Sequence, residues 1–380
     1  MDTNCTNTEV LFYAEDPGAA NYIVHLPEAC NIKGISSVTI AHGKATEFFL
    51  KQDVVFKPAE NFLSVDDIIG AYSPNLIVIG TSENPESIGL SLVKVARQKN
   101  IPTVGVIDSP ANAGYRFRGI TNDPLASAPD WLIVPDEWTK NTFELTGFPS
   151  RKIAVCGHPQ YDFVQDQLEK LENEGKENIR SRLFPGVPKD KIVALFAAEI
   201  SDGLNPKQFI KSEEYTLFGN SGSNKRTNIV LEEFLDALTL IDERPYLILR
   251  LHPKNELDEF SDYIDSFDFI SKNEPVMEVI YSVDCVIGMT TMLLQEAAIM
   301  GKQTLSIVPR KMERDWLPSI RSGITPCAST RDEINSLLRN LLQDASSGKQ
   351  IRAKEFFLFG ASKRAVSLFE DIITKCDSSE

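Results

Sequence analysis

Residues 283–308 read VDCVIGMTTMLLQEAAIMGKQTLSIV. The opening VDCVIG is a short apolar run that stops at Gly288; two threonines, a helical stretch, Gly301-Lys302 and a second apolar run follow. Apolar runs too short for helices, joined by a helix-length crossover, are the pattern of parallel strands buried on both faces. The stretch is therefore a βαβ unit, and its first turn lies at a strand's carboxyl end, where open α/β sheets take ligands. Thr290 and Thr291 stand at the helix start, so hydroxyls, backbone N–H groups and the helix dipole converge on a spot suited to phosphate oxygens. Glu296, about one and a half turns further on, reaches a group carried by that phosphate. Structurally, the same residues also serve as an N-cap and a solvated helix position.

The alternation extends outward from this unit. Upstream, residues 10–14, 37–41, 54–56, 76–80, 103–107 and 131–134 are strand-like, with helical stretches around 85–99 and 137–145. A further strand at 152–156 precedes a Gly157-His158-Pro159 break. A second series then contributes strands at 192–197, 246–251, 267–270, 285–287 and 303–308. Residues 168–182, 331–342 and 354–375 are predicted helical, and 199–226 breaks the alternation as a loop, mobile or ordered by contacts outside itself. The expected fold class is α/β, with two Rossmann-like domains, 1–157 and 158–350, facing across a cleft. The remaining 351–380 is a C-terminal helical segment able to return to the first domain.

The 380 residues include 39 Lys and Arg against 54 Asp and Glu, a net charge of −15. Such a surplus repels a phosphate backbone, which excludes nucleic acid as a partner but not a phosphorylated ligand in a small basic pocket. Apolar residues at 42% and charged residues at 24% are those of a soluble globular protein. No apolar run nears the ~20 residues of a membrane span, and the polar start MDTNCTNTEV lacks the features of a signal peptide. Cys5, Cys30, Cys156, Cys285, Cys327 and Cys376 form no CxxC pair and have no close His, which favours a reduced, cytoplasmic setting over a zinc site or disulfide framework.

Three other stretches carry candidate chemistry. In AEDPGAANY, 14–22, Gly18 permits close approach to a helix start, while Glu15 and Asp16 suit proton acceptance or sugar hydroxyls. In LRLHPKNE, 249–256, Pro253 ends a buried strand, and Arg250, His252 and Lys254 offer three cationic donors suited to a diphosphate. Asp108 ends TVGVID ahead of a loop containing Arg116 and Arg118; Glu83 and Glu86 hold the comparable loop after the preceding strand. Any of these carboxylates is a candidate general base. His158 either faces the expected cleft from the linker or caps a turn. The absence of GxxxxGK[ST], HExxH, GxSxG and EF-hand patterns removes P-loop kinases, zincins and serine hydrolases of the nucleophile-elbow type.

Together these stretches resemble the GT-B superfamily, in particular the non-hydrolysing UDP-GlcNAc 2-epimerases and the HP-motif bacterial transferases of CDP-glycerol and sialyl type. KIAVCGHPQYDFV, 152–164, is similar to the epimerase stretch between domains, and His252-Pro253 matches the HP motif. TTMLLQEAAIMGK, 290–302, resembles Ser-Gly-Gly-x-Gln-Glu-Glu-Ala leading to Gly-Lys. That match puts Thr290 at the phosphate-binding serine and Glu296 at the ribose-binding glutamate. PRKMERDW, 309–316, is similar to the Arg and Glu-Arg-Pro-Glu segment after the next strand. Thr291 and Met292 replace two glycines, VIDSPANAG replaces His-Glu-Ala-Gly-Leu-Arg with Asp108 as its acidic residue, and TNDPLASAPD replaces Pro-Glu-Glu-x-Asn-Arg. Epimerisation must remove and return a proton, so these losses count against it more than against a transferase.

The resemblance implies a metal-independent transferase that moves a sugar or related group from a nucleotide-activated donor to an acceptor hydroxyl, on a glycan or a lipid-linked acceptor. The donor is a substrate; no cofactor is implied. On this reading 1–157 is the acceptor and catalytic domain and 158–350 binds the donor. Asp108 or Asp16 is the base of an inverting reaction, and His252 meets the leaving phosphate. Gly18, Arg250, Lys254, Gly288, Thr290, Thr291 and Glu296 complete the expected binding set. A nucleotide-sugar 2-epimerase or hydrolase and a non-catalytic nucleotide-binding regulator are the alternatives, and a homodimer is compatible with all three.

Overall fold

Unbroken apolar runs of four or five residues, such as VLFYA and LIVIG, form strands whose residues are all buried, because helices cover both faces of each sheet. The structure is a computed structural model describing residues 8–200, 209–351 and 353–377. Two units divide the chain: Met1–Phe163 with Leu358–Glu380, and Val164–Phe357. The first holds β1 (Val10–Ala14), β2 (Ser37–Ala41), β3 (Lys57–Pro58), β4 (Leu76–Gly80), β5 (Thr103–Val106), β6 (Trp131–Val134) and β7 (Ile153–Val155). They pair in parallel in the order β3-β2-β1-β4-β5-β6-β7. Alternate residues of β1 supply two cores: Val10, Phe12 and Ala14 on one face, Leu11 and Tyr13 on the other. The C-terminal helix Ala361–Asp377 joins the first of these, with the Phe369 ring 6.1 Å from that of Phe12.

The second unit holds β8 (Val193–Ala197), β9 (Tyr246–Arg250), β10 (Phe269–Ser271), β11 (Cys285–Gly288), β12 (Gln303–Ile307) and β13 (Cys327–Ala328). Their order is β10-β9-β8-β11-β12-β13, again all parallel. Its core packs Phe196 on Phe234 of helix Arg226–Leu238, rings stacked at 5.0 Å. The chain thus has the expected α/β class with two doubly wound parallel sheets.

Three expectations shift in detail. The third strand lies at Lys57–Pro58 rather than 54–56, because the Val54 N–H turns back to the Phe49 carbonyl (3.0 Å) and closes the preceding helix. The charged helix of 168–182 is two helices, Pro159–Glu174 and Lys176–Leu183, split at Gly175 with φ +87. Within the 199–226 loop, 201–208 lies outside the described residues. The part beyond it is ordered by two carboxylates of the following helix. Glu232 accepts the N–H groups of Asn220 (2.5 Å) and Ser221 (2.9 Å), and Glu233 those of Phe218 (3.2 Å) and Gly219 (3.0 Å).

Among the described residues no helix is long and apolar enough to cross a membrane. Cys30, Cys156, Cys285 and Cys327 are free thiols.

Candidate functional site

In the second sheet the strand order reverses between β8 and β11. The loops after β9, β8 and β11 leave its carboxyl edge as neighbours and carry His252, Glu199 and Thr290 respectively. Thr291 is the N-cap of helix Met292–Ile299: its backbone is extended and its hydroxyl accepts the Leu293 N–H at 3.3 Å. Gly288 leaves room for this turn, since a Cβ there would lie 3.0 Å from the Thr291 methyl. The Thr290 N–H and hydroxyl both donate to the Glu199 carboxylate, the hydroxyl at 3.2 Å.

Arg226, only 1% exposed, closes the same spot from the start of its helix. Its Nη1 donates to Glu199 Oε2 at 2.7 Å, its Nη2 to the Thr290 hydroxyl at 3.4 Å and its Nε to Glu313 Oε2 at 2.9 Å. Glu313 is fully buried and also accepts from Arg310 Nε at 2.6 Å. An alternating row, Arg310–Glu313–Arg226–Glu199, therefore ends on Thr290. Burial pulls the Arg226 guanidinium down, but Glu313 and Glu199 more than reverse this and hold it well above its ordinary value. Removing one member of such a row would leave a buried charge uncompensated, so its members are mutually dependent.

The His252 ring accepts the Lys254 N–H on Nδ1 (3.1 Å), while the His252 backbone N–H donates to Asn255 Oδ1 (3.1 Å). A ring nitrogen that accepts carries no proton, so the neutral imidazole bears its proton on Nε2. Arg250 is engaged elsewhere: Nη1 donates to Ser271 Oγ (2.7 Å) and to the Glu274 carbonyl (3.0 Å), and burial lowers its guanidinium. Glu296 is buried in the Met292–Ile299 helix, and Lys254 is half-buried next to His252.

The first sheet reverses between β1 and β4, and here too polar groups gather at the carboxyl edge. Asp16 caps helix Pro17–Ile23, with Oδ1 accepting the Gly18 N–H at 3.0 Å. The Asp108 carboxylate lies over Gly18, where a Cβ would collide with it. Buried Arg116 donates Nη1 to Asp108 Oδ1 (2.9 Å) and to the Thr81 carbonyl (3.3 Å), and Nη2 to the Ser109 carbonyl (3.2 Å). Burial lowers the Arg116 guanidinium, and Asp108 and Glu83 raise it above its ordinary value. Glu15 is held separately by Tyr13 Oη (2.8 Å) and Ser82 Oγ (2.6 Å), and Glu83 accepts from Asn112 Nδ2 (2.8 Å). Arg118 stacks on Tyr115, and Glu86 is exposed.

Asp16, Gly18 and Asp108 are thus brought together in the first unit, and Gly288, Thr290 and Thr291 in the second. His158 packs into the first unit between Tyr22 and Tyr161, at 4.6 and 5.4 Å between ring centres, and burial pushes its imidazole down to about 3. Sequence reasoning passes over Arg226, meets Arg310 and Glu313 only within the stretch 309–316 without giving them a role, and treats Glu199 only as the edge of a loop. The one local signal for Glu199 is its place two residues beyond a strand at the point of order reversal. Among the described residues no group of three or more His, Cys, Asp or Glu side chains is placed to hold a metal ion.

No protein-family model matches the sequence, and no curated protein matches it. Solved structures do resemble it. The UDP-GlcNAc 2-epimerase of Neisseria meningitidis, bound to UDP-GlcNAc, is similar over 96% of this chain and 100% of that one, at 15% identity and a TM-score of 0.66. The UDP-GlcNAc 2-epimerase of Methanocaldococcus jannaschii, in complex with UDP-GlcNAc and UDP, is similar over 96% and 99%, at 14% identity and a TM-score of 0.66. The wall teichoic acid polymerase TagF is similar over 98% and 91%, at 15% identity and a TM-score of 0.55. Likeness at such identity is a likeness of fold, and with the two parallel sheets described above it establishes that this chain has the GT-B fold.

Proposed function

We propose that this protein is an enzyme acting on a nucleotide-activated sugar, and that it transfers the sugar or a related group to an acceptor hydroxyl. The observation that carries the proposal is the anion seat at the carboxyl edge of the second sheet. Thr290 and buried Arg226 already surround a carboxylate there, and a phosphate oxygen offers the same charge and the same acceptor lone pairs. His252, protonated on Nε2, supplies a further donor, and Glu296 is the candidate for the ribose. Arg250 contributes less than expected, because Ser271 and Glu274 already engage it.

In this reaction the acceptor oxygen attacks the anomeric carbon, and the bond from that carbon to the phosphate oxygen breaks. Negative charge then appears on the leaving nucleoside phosphate, where the Thr290 donors, Arg226 and His252 stabilise it without a metal ion. Asp108 is the candidate base for the acceptor hydroxyl, its second oxygen oriented by Arg116. Asp16 is less suited, since one of its oxygens accepts the Gly18 N–H as a helix cap.

The fold likeness to two UDP-GlcNAc 2-epimerases supports a second reading, epimerisation or hydrolysis from the same donor seat. Incubation with a panel of nucleotide-sugars, with and without candidate glycan or lipid-linked acceptors, separates the two by mass spectrometry. A new conjugate is the expected product. Isomerised or free sugar without acceptor would favour the second reading, and binding of every donor without turnover would reject both.

A further inference from the structure

The anion seat is filled by the protein's own carboxylate. We infer that Glu199 is a displaceable stand-in for ligand phosphate: the phosphoryl group takes over Arg226 Nη1 and the N–H and hydroxyl of Thr290, and the Glu199 side chain withdraws. The inference rests on the donor-site reading above and adds Arg226 and Glu199 to it.

The two carboxylates on Arg226 are not equivalent. Glu313 is fully buried and is shared by two arginines, Arg226 and Arg310, so it is a permanent part of the core. Glu199 is the outer member, with its side chain 14% exposed, and among the described residues its carboxylate bonds to Arg226 and Thr290 alone. Every one of those donors is a group that binds phosphate well: a guanidinium, a backbone N–H at a helix start and a hydroxyl. Its position is equally specific. Glu199 leaves β8, the strand between the one that carries His252 and the one that carries Thr290. A ligand phosphate bound by His252 and Thr290 therefore meets Glu199 in its path.

Electrostatics favours an exchange over simple addition. Adding an anion beside Glu199 would set a third negative group on one guanidinium, whereas expelling Glu199 with nothing in its place would strip buried Arg226 of one of its two partners. Replacing one anion with another does neither. A phosphoryl group, with its several acceptor oxygens, competes with the carboxylate for these donors, and it does so best as the leaving nucleoside phosphate, whose terminal group carries more charge than the doubly esterified phosphates of the donor. It also means that the seat is self-blocked until a ligand arrives, which lowers apparent affinity by the fraction of molecules in which it is open.

The test uses the full chain and inorganic pyrophosphate, which has no base or sugar to bind elsewhere. Glu199→Gln removes the competing charge while keeping the side chain's size. Calorimetry should show pyrophosphate binding tightened about tenfold or more over the parent protein. Unchanged or weakened binding in a variant that still melts cooperatively overturns the inference, as does an absence of pyrophosphate binding by both proteins. Should Glu199→Gln fail to fold, the parent protein provides the measurement: carbodiimide coupling at Glu199, read by peptide mass spectrometry. Coupling should rise when pyrophosphate is added, and unaltered coupling at saturating pyrophosphate overturns the inference. Donor turnover is read on the same preparations. A pyrophosphate gain without turnover rejects the enzyme reading and leaves displacement standing; turnover with no gain rejects displacement alone.

Discussion

His252→Ala removes the Nε2 donor that the proposed function assigns to ligand phosphate but leaves Pro253 to end the strand. Nucleoside diphosphate affinity should fall about ten- to a hundredfold, the worth of a hydrogen bond to a charged group. The melting temperature should barely move, with calorimetry and scanning fluorimetry read on one preparation. An equal loss of both would show that the imidazole serves the fold. Thr291 should behave in the opposite way. Its hydroxyl caps the helix, so Thr291→Ala should cost about 1 kcal/mol of stability and leave affinity within a few-fold of the parent. A larger loss of affinity than of stability would return Thr291 to the phosphate. Gly288, Thr290 and Thr291 are legible in the sequence because strand, glycine, threonine and helix follow within a few positions. Arg226 is not legible, because its partners Glu199 and Glu313 lie 27 and 87 positions away, and a buried arginine reads locally like any solvated one.

Strands and helices were more readable than their ends. Continuous apolar runs such as 10–14 and 76–80 match β1 and β4 residue for residue, since burial on both faces leaves no polar position to blur the edge. The two-residue β13 carries too little periodicity to be seen. Turns that depend on distant chain were also hidden. At Gly157 φ is +83, and a Cβ would collide with the Leu358 carbonyl. The Gly157 carbonyl in turn accepts from Tyr22 Oη at 2.7 Å. Gly157→Ala should lower stability by about 1–3 kcal/mol through backbone strain alone, and by more if Leu358 must move. Urea unfolding would check this; a change below ~0.5 kcal/mol would mean that the turn relaxes freely.

Across the whole molecule, His158 ties stability to pH. In the unfolded chain its imidazole takes a proton near its ordinary 6.5, whereas in the fold burial delays this to about 3. Between those values the unfolded state holds the extra proton, so stability declines as pH falls from 6.5 towards 3. This one group contributes a slope of at most ~1.4 kcal/mol per pH unit. His158→Phe keeps a ring between Tyr22 and Tyr161 and should flatten the fall in melting temperature between pH 6.5 and 4. An unchanged slope would place the titrating group elsewhere. The discontinuous first unit has a consequence of a different kind, in the order of biosynthesis. Helix Ala361–Asp377 supplies Val366 and Phe369 to the same core as Phe12 and Val78, so that core cannot close until this helix has been translated. The stretch from Val164 to Phe357 emerges in the meantime, roughly 10–40 s of elongation at about 5–20 residues per second. Of the two units, the one whose strands emerge earlier closes later, and throughout that interval it presents an unfilled apolar groove to chaperones and to neighbouring nascent chains.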